Sequence, residues 1–375
     1  MSRRAAAVAA IGLFMACTAS VAHAIDSAAV RFEVRTVARG LEFPWGLAFL
    51  PDGDMLVTER PGRLRRVAPD GTISPPLSGL PAIAEIGQGG LLDVALHPAF
   101  AENRLIYWSC AAAGDGGHGT EVSRGRLVDG GIEAVEQVFR ALPKASGGRH
   151  FGSRLLFLPD GTLLITLGDR GHEPNGQHLG GHPGSIIRVT DTGAVPDDNP
   201  FVGVDGVRPE IYTFGNRNVQ GIVRDPVTGK IWATEHGPQG GDEVNLIRSG
   251  VNYGWADITY GRNYGSGTRI GSGEQRDGVA EPALQWTPSI APSGLAVYRG
   301  DAFPAWHGNL FAGALKFRLL SRLVLDDNDR VVHEERLLGD ELGRIRDVRT
   351  GPDGFIYVLT DSADGVIARL EPAAN

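Results

Sequence analysis

One pattern of apolar and polar positions recurs six times along the chain: a short apolar run, a turn rich in Pro, Asp, Gly or Asn, and a second run of β-forming residues. The first repeat runs from Gly46 to Thr58 and has Pro51-Asp52-Gly53 at its turn, and an Asp-Gly step is typical of a tight hairpin. The second run of each repeat is apolar on both faces, as expected of an inner strand packed between neighbouring sheets. Six such hairpins predict an all-β chain folded as a six-bladed β-propeller. The prolines that mark the repeats are Pro51, Pro98, Pro159, Pro226, Pro304 and Pro352.

The spacing of the repeats and the glycine content support this architecture. Successive marker prolines are 47, 61, 67, 78 and 48 residues apart, and a four-stranded blade needs about 40–50 residues, so the longer gaps leave room for loops. The chain has 53 glycines, about twice the usual share, which indicates many turns between short strands. A β-sandwich or a small tandem array is the alternative, but sandwiches rarely repeat one hairpin six times.

The N-terminal residues have the order of a secretory signal peptide. Arg3 and Arg4 precede an apolar run from Ala5 to Val21, and Ala22-His23-Ala24 has small residues at the positions that a signal peptidase recognises. The run is about 17 residues long, which together with the cleavage signal favours removal over a transmembrane anchor. Lipid attachment at Cys17 is a second alternative. We expect residues 1–24 to be a signal peptide and residues 25–375 to form one catalytic propeller that is periplasmic or secreted.

Charge and cysteine content exclude several classes of protein. The formal net charge of −8 argues against binding to the phosphates of nucleic acid. No later segment is apolar for long enough to span a bilayer, so we expect no membrane insertion. Only Cys110 remains after removal of the signal peptide, so no internal disulfide can form and the fold depends on burial.

Unusual polar residues stand beside successive repeats. Ligands of propellers bind at the mouth of the axial channel, where loops from every blade meet. Gln88 lies between glycines beside the second repeat. His150, next to Arg149 in a glycine-rich segment, precedes the third repeat in a position suited to a general base. Arg217 and Asn218 lead into the fourth repeat. Each of these residues could alone be an ordinary surface group.

Three further cations follow the same pattern in the last two repeats. Lys316 ends an apolar strand of the fifth repeat, and Arg344 and Arg346 alternate on an extended segment, so that both face one side of it. With Arg217, these residues bring four cations together in a protein of net negative charge, which predicts a small polyanionic ligand. The first repeat, around Pro51, offers no residue that can be assigned to the site.

The segment from Glu235 to Asn245 is dense in carboxylates, amides and glycines. Carboxylate and carbonyl oxygens are the ligands that calcium prefers, although the spacing is not that of an EF-hand. A structural cluster of turns is the alternative.

Taken together and in this order, the motifs resemble those of the soluble quinoprotein dehydrogenases that use pyrroloquinoline quinone, and most closely the periplasmic aldose sugar dehydrogenases. The similarity extends from about Phe43 to Leu370. The motifs that carry it are Gly-Gln-Gly-Gly-Leu-Leu-Asp-Val, His-Phe-Gly-Ser-Arg, Gly-Asn-Arg-Asn-Val-Gln-Gly, Glu-His-Gly-Pro with Gly-Asp-Glu-Val-Asn, and Gly-Arg-Ile-Arg-Asp-Val.

The resemblance implies that the enzyme oxidises the C1 hydroxyl of aldose sugars to lactones. His150 would take the proton of that hydroxyl while hydride passes to C5 of the quinone. The residues implied to contact the cofactor are Arg217, Lys316, Arg344 and Arg346, with Gln88 and Asn218 as further polar contacts and Tyr264 near the mouth.

The resemblance also implies calcium. One ion would bridge the quinone to the main-chain carbonyls of Gly237 and Pro238 and polarise its C5 carbonyl. A second ion would lie near the Gly-Asp-Glu-Val-Asn loop, which points to Glu243 and Tyr253.

Two other classes of function remain open from the sequence. A calcium-dependent lactonase on a propeller would need acidic and amide ligands around an axial metal. A carbohydrate- or protein-binding propeller without catalysis would have Arg344 and Arg346 on its outer wall. The residues around His150 differ from those of glucose-specific relatives, which favours a broader range of aldoses. The natural sugar, the electron acceptor and the choice between monomer and dimer are not predicted.

Overall fold

The computed structural model describes residues 24–374, which form six antiparallel β-sheets. The six sheets are the blades of a β-propeller, which confirms the predicted fold. We number the blades by the order of their hairpins along the chain. The predicted signal peptide lies outside the described residues, apart from Ala24.

In chain order the strands are β1 (Ala24–Asp26), β2 (Arg31–Leu41), β3 (Pro44–Phe49), β4 (Met55–Glu59), β5 (Arg63–Val67), β6 (Leu91–Leu96), β7 (Leu105–Gly114), β8 (Gly117–Val128), β9 (Gly131–Arg140), β10 (Leu155–Phe157), β11 (Leu163–Thr166), β12 (Ser185–Val189), β13 (Ile211–Phe214), β14 (Val219–Arg224), β15 (Ile231–Glu235), β16 (Asp242–Ile247), β17 (Leu284–Trp286), β18 (Pro292–Val297), β19 (Leu310–Ala314), β20 (Leu320–Leu325), β21 (Val331–Leu337), β22 (Ile345–Thr350), β23 (Ile356–Thr360) and β24 (Gly365–Pro372). The helices are α1 (Phe100–Asn103) and two short 3₁₀ turns, Glu173–Gln177 and Pro304–Trp306. No helix among the described residues is long and apolar enough to cross a membrane.

The ring is closed by pairing between the two ends of the chain. Strand β2 pairs antiparallel with β24, so that blade six has the order β1-β2-β24-β23-β22. Blade one is left with three strands, β3-β4-β5, and blades two to five have four strands each. The six predicted hairpins match the first two strands of each blade, but nothing in their pattern predicts that β2 completes the last blade.

The second strand of each blade lies in the core. Strands β4, β11, β15, β19 and β23 are buried at every residue. Their side chains on both faces pack against neighbouring blades, as the apolar pattern predicts, and this burial is the main stabilising term of the fold.

A buried hydroxyl on the second strand joins four of the blades to the next blade. Ser109 Oγ donates to Ser153 O at 2.6 Å, and Thr166 Oγ1 donates to Val219 O at 3.1 Å. Three of these hydroxyls, those of Thr58, Ser109 and Thr166, also accept a main-chain N–H group of their own blade, as Thr166 does from Arg154 at 2.9 Å. Each of these three satisfies buried polar groups on two blades at once. The four residues are Thr58, Ser109, Thr166 and Thr234.

An ion network lies where the inner strands approach one another. Arg154 is 1% exposed and contacts Asp347 Oδ1 at 3.0 Å and Asp93 Oδ1 at 3.3 Å. Arg349 bonds the same two carboxylates, each at 2.9 Å. The Arg154 guanidinium also lies 4.0 Å from the centre of the Trp45 ring. The network joins blades one, two, three and six.

Replacement of Thr166 by Val tests the contribution of the hydroxyl contacts. The substitution keeps the shape of the side chain but leaves the N–H of Arg154 and the carbonyl of Val219 without a partner. We expect the free energy of unfolding, measured by urea denaturation, to fall by about 2 kcal/mol or more. Thr350→Val is the matched control, because the Thr350 hydroxyl is buried without a partner and its loss should be neutral. Equal losses in the two variants would contradict the interpretation.

Candidate active site

A cavity of 590 Å³ lies at the centre of the ring. This volume is within the range of about 300–1,000 Å³ that is usual for small-molecule sites. Every blade contributes to its wall. One lining residue from each blade, in order, is Arg60, Gln88, Phe151, Asn218, Leu315 and Arg346.

The buried ion network supports the wall of this cavity. Arg154 Nε donates to the main-chain oxygen of Gln220 at 2.8 Å, and its Nη2 donates to that of Arg346 at 2.9 Å. Gln220 and Arg346 both line the cavity. The network thus fixes the main chain of blades four and six where it lines the cavity.

Arg344 and Arg346 both reach the cavity, as their alternation predicts. Arg344 Nη2 bonds Asp361 Oδ2 at 2.7 Å, and Arg346 donates to Gln220 Oε1 at 3.0 Å and to Asp361 Oδ2 at 3.3 Å. Burial acts to raise the pKa of Asp361, but the two guanidinium groups outweigh it and hold that pKa below its usual value. Arg346 Nε is buried without a partner, so one donor is left for a ligand.

Blade one also contributes, although the sequence predicts no site residue there. Phe43, Trp45 and Arg60 line the cavity. Arg60 Nη1 donates to Gly87 O at 2.6 Å, and its guanidinium lies 4.7 Å from the centre of the Phe43 ring. The spacing from a threonine could have indicated Arg60. Arg60 stands two residues after Thr58, as His236 stands two residues after Thr234, and both Arg60 and His236 line the cavity.

His150 is oriented by a carboxylate that the sequence does not predict. Its Nδ1 lies 2.6 Å from Asp169 Oδ1, and Trp255 Nε1 donates to Asp169 Oδ2 at 2.7 Å. An ionised Asp169 fixes the proton on Nδ1 and leaves the Nε2 lone pair free. Burial acts to raise the pKa of Asp169, but the bond to His150 and the nearby Arg217 hold it below its usual value. The signal that could have found Asp169 is the Gly-Asp-Arg-Gly turn directly after a buried strand.

The imidazole of His150 is held in its neutral form. Burial and then the positive charges of Arg217 and Arg149 lower its pKa, and the bond to Asp169 offsets only part of this effect. The ring is 6% exposed. It can therefore accept a proton at neutral pH.

His150 faces a second cavity of 110 Å³, which we call the smaller cavity; the central cavity of 590 Å³ is the larger cavity. Its wall includes His150, Arg217 and Tyr264, whereas the next residues, Phe151 and Asn218, line the larger cavity. The two cavities are thus neighbours. An open cleft of 740 Å³ shares Glu173 and Ile270 with the smaller cavity, and the sequence does not predict it.

Gln88 and Asn218 hold the main chain around the base as well as lining the cavity. Gln88 Oε1 accepts from His150 N at 2.8 Å, and Asn218 Oδ1 accepts from Gly152 N at 3.1 Å.

Lys316 and Tyr264, which the sequence predicts as cofactor contacts, do not line the larger cavity. The side chain of Lys316 is exposed, with its Nζ 5.3 Å from the centre of the Phe317 ring. The neighbouring Leu315 lines the wall instead. Tyr264 is 68% exposed, and its hydroxyl donates to Pro238 O at 3.0 Å. Of the four predicted cations, two line the larger cavity and Arg217 lines the smaller one.

The predicted calcium ligands lie at the ends of β15 and β16. Gly237 and Pro238 are buried, and Gly237 N donates to Asp242 Oδ1 at 2.8 Å. Pro238 O already accepts from Tyr264 and, at 3.3 Å, from Ser289. A cation bound to this carbonyl would replace at least one of these donors.

A pair of carboxylates, the buried Glu235 and the partly buried Glu243, lies beside this loop. Asn245 Nδ2 donates to Glu235 and Glu243, each at 3.0 Å, and its Oδ1 is buried without a partner. Burial and the neighbouring Glu235 raise the pKa of Glu243. The hydroxyl of Tyr253 donates to Leu246 O at 2.8 Å, so only its main-chain oxygen is available for a metal. Among residues 24–374 no group of three or more His, Cys, Asp or Glu side chains is placed to hold a metal.

Comparison with known proteins agrees with the resemblance drawn from the motifs. A family model for glucose / sorbosone dehydrogenases matches residues 41–369. The chain is 45% identical over 359 residues to aldose sugar dehydrogenase YliI of Escherichia coli strain K12, covering 94% of this chain and 96% of that protein.

Two solved structures share the fold over most of the chain. The crystal structure of the soluble aldose sugar dehydrogenase from Escherichia coli in its apo form has a TM-score of 0.88 at 45% identity, covering 91% of this chain and 100% of that one. The PQQ-bound form of aldose sugar dehydrogenase from Streptomyces coelicolor has a TM-score of 0.76 at 30% identity, covering 91% and 98%. The resemblance drawn from the motifs is confirmed: the chain belongs to the glucose / sorbosone dehydrogenase family.

Proposed function

We propose that this protein is a quinone- and calcium-dependent dehydrogenase that oxidises the C1 hydroxyl of aldose sugars to lactones, with pyrroloquinoline quinone as cofactor. Membership of the family makes it an oxidoreductase that acts on the CH–OH group of sugars. The observation that carries the proposal is the His150–Asp169 pair beside a cavity lined with arginines. The PQQ-bound Streptomyces coelicolor relative supports the choice of cofactor.

The larger cavity fits a flat ligand with several carboxylates. Arg60, Arg344 and Arg346 line it, against the single carboxylate of Asp361. The unpartnered Nε of Arg346 can donate to a ligand carboxylate, and charge-assisted bonds of this kind are strong in a buried site. Trp45 and Phe43 add flat apolar surface. Bound there, the quinone would supply the two-electron acceptor for the hydride of sugar C1.

The residues of the smaller cavity fit the proton chemistry. His150 Nε2 accepts the proton of the C1 hydroxyl, because Nδ1 is held by Asp169. Arg217 lies beside this position and stabilises the negative charge that develops on the sugar oxygen. Trp255 limits the motion of Asp169. The adjoining open cleft leaves room for the rest of the sugar, which supports a broad range of aldoses.

Calcium fits the oxygen groups near β15 and β16. Main-chain oxygens of Gly237 and Pro238 would hold the ion that contacts the cofactor. Glu243, the main-chain oxygen of Tyr253 and the unpartnered Asn245 Oδ1 would hold the second ion. All are oxygen donors, which calcium prefers.

The periplasm is the compartment that we propose, on the basis of the signal peptide predicted for residues 1–24. The other two classes of function receive less support. A binding propeller without catalysis would have Arg344 and Arg346 on its outer wall, whereas both line the cavity. A lactonase would need acidic ligands around an axial metal, whereas the charged residues that line the axial cavity are three arginines and one carboxylate.

Reconstitution tests the proposal directly. The protein is mixed with pyrroloquinoline quinone and calcium, and dye reduction is followed with a panel of aldoses. His150→Ala should lower kcat by about 10²–10⁴-fold, because the proton acceptor is lost, while quinone absorbance still shows binding. His333→Ala, at an exposed histidine of β21, should leave kcat unchanged. Absence of turnover of every aldose by the unaltered protein would overturn the proposal.

The pH dependence tests the role of Asp169. The base must be neutral, so activity should fall as the pH drops through the lowered pKa of His150. Asp169→Asn removes a contribution that raises this pKa. The acid limb of kcat should therefore move to lower pH, and plateau kcat should fall about 10²-fold or more because the tautomer is no longer fixed. An acid limb that stays in place or moves to higher pH would contradict this role.

Thermal unfolding tests the calcium site without any activity measurement. A ligand that binds only the folded state raises the midpoint of unfolding, Tm, with its concentration. We expect Tm to rise with calcium in the unaltered protein and to rise less in Glu243→Gln. Glu341→Gln, at an exposed glutamate, is the control. The same calcium response in both variants would exclude Glu243 as a ligand.

A further inference from the structure

We propose that Arg170 is a positioning residue for the catalytic base, because its guanidinium clamps the loop of residues 147–153 that carries His150. This inference rests on the proposed function, in which His150 accepts the proton of the substrate. Arg170 directly follows Asp169, so one turn would fix both the ring and the main chain of the base.

The loop that carries the base has a conformation that most side chains avoid. His150 has a φ of 56° and Ser153 a φ of 84°, both in the left-handed region, and Gly147 and Gly152 are also at positive φ. Non-glycine residues in this region cost about 1–3 kcal/mol each, so the loop needs support from its surroundings. His150, Phe151 and Ser153 are nonetheless buried.

Arg170 supplies this support from the side away from the larger cavity. Its Nη1 donates to Arg149 O and its Nη2 donates to Gly147 O at 3.0 Å. Its guanidinium lies 3.5 Å from the centre of the Phe151 ring, close enough for a strong cation–π contact. The side chain thus contacts the loop both before and after His150.

The environment of Arg170 is unusual for a buried cation. The residue is 7% exposed, and within residues 24–374 no carboxylate lies within 4 Å of its guanidinium. Burial lowers its pKa to about 10. A buried charge without an ionic partner is unfavourable. Its hydrogen bonds go to the two carbonyls of the base loop, and its Nε has no partner.

Asp169 and Arg170 are consecutive in the chain but contact different parts of the loop that carries His150. Asp169 bonds the imidazole ring, whereas Arg170 bonds the main chain that carries it. Arg170 itself has a φ of 62°, which directs the two side chains to different parts of the loop. Arg170 lines neither the 590 Å³ nor the 110 Å³ cavity. Its loss should therefore move the base without removing a contact to sugar or quinone.

The experiment compares Arg170→Met and Arg170→Lys with the unaltered enzyme reconstituted with pyrroloquinoline quinone and calcium. A displacement of about 1 Å at a reacting group can reduce the rate about 10²-fold, so we expect kcat of Arg170→Met to fall by this order. Lys keeps the charge but not the two-pronged geometry, and its kcat should lie in between. The KM for glucose and the Kd for the quinone should change by less than about twofold. Arg126→Met, at an exposed ion pair, is the matched control.

Two further measurements separate positioning from other roles. Hydrogen exchange of the amides of residues 147–153 should become faster in Arg170→Met and remain unchanged in the other blades. The acid limb of kcat should stay in place, in contrast to Asp169→Asn. A shifted limb would mean an electrostatic role, and unchanged exchange or unchanged kcat would mean that the clamp is not needed. Each of these results would overturn the inference while leaving turnover by the unaltered enzyme, and hence the proposed function, intact.

Discussion

The buried guanidinium of Arg154 connects the stability of the ring with the shape of its cavity. It neutralises Asp93 and Asp347 together with Arg349, and its remaining N–H groups hold the main-chain oxygens of Gln220 and Arg346. Loss of one partner from a buried ion group destabilises a protein by about 3–5 kcal/mol, because the other charges remain buried. The blades therefore cannot shift relative to one another at this point without exposing carboxylates. The same contacts keep the cavity wall rigid before any ligand binds.

The charged groups of the site are divided between the two cavities. Arg344 and Arg346 are balanced in part by Asp361, and Arg217 lies on the side of His150. A cation next to an imidazole makes it a weaker base, but it also stabilises the negative charge that forms when a hydroxyl loses its proton. Asp169 restores part of the basicity and fixes the tautomer. The low pKa of the base is thus part of the same arrangement that stabilises the product of proton transfer.

The sequence correctly predicts features that depend on residues close together in the chain. A hairpin and the alternation of Arg344 and Arg346 depend on neighbouring residues, and both appear in the structure. Asp169 is 19 residues from His150 and reaches it only when β10 and β11 pair, so the turn that contains Asp169 does not by itself indicate that its partner is His150. Lys316 was predicted to face the site because it follows an apolar run. Strand β19 ends at Ala314, however, and Lys316 lies in the turn before β20, where alternation no longer applies.

The hydroxyl contacts between blades lie close to the residues that line the cavity. Thr58 and Thr234 fix the ends of their strands against the next blade, and Arg60 and His236, two residues further on, then line the cavity. Asp361 directly follows Thr360, which ends the corresponding strand of blade six. The residue directly after the second strand can thus be a cation, an imidazole or a carboxylate, as Arg60, His236 and Asp361 are. The hydroxyl contacts thus recur between blades, whereas the residues that line the cavity differ from blade to blade.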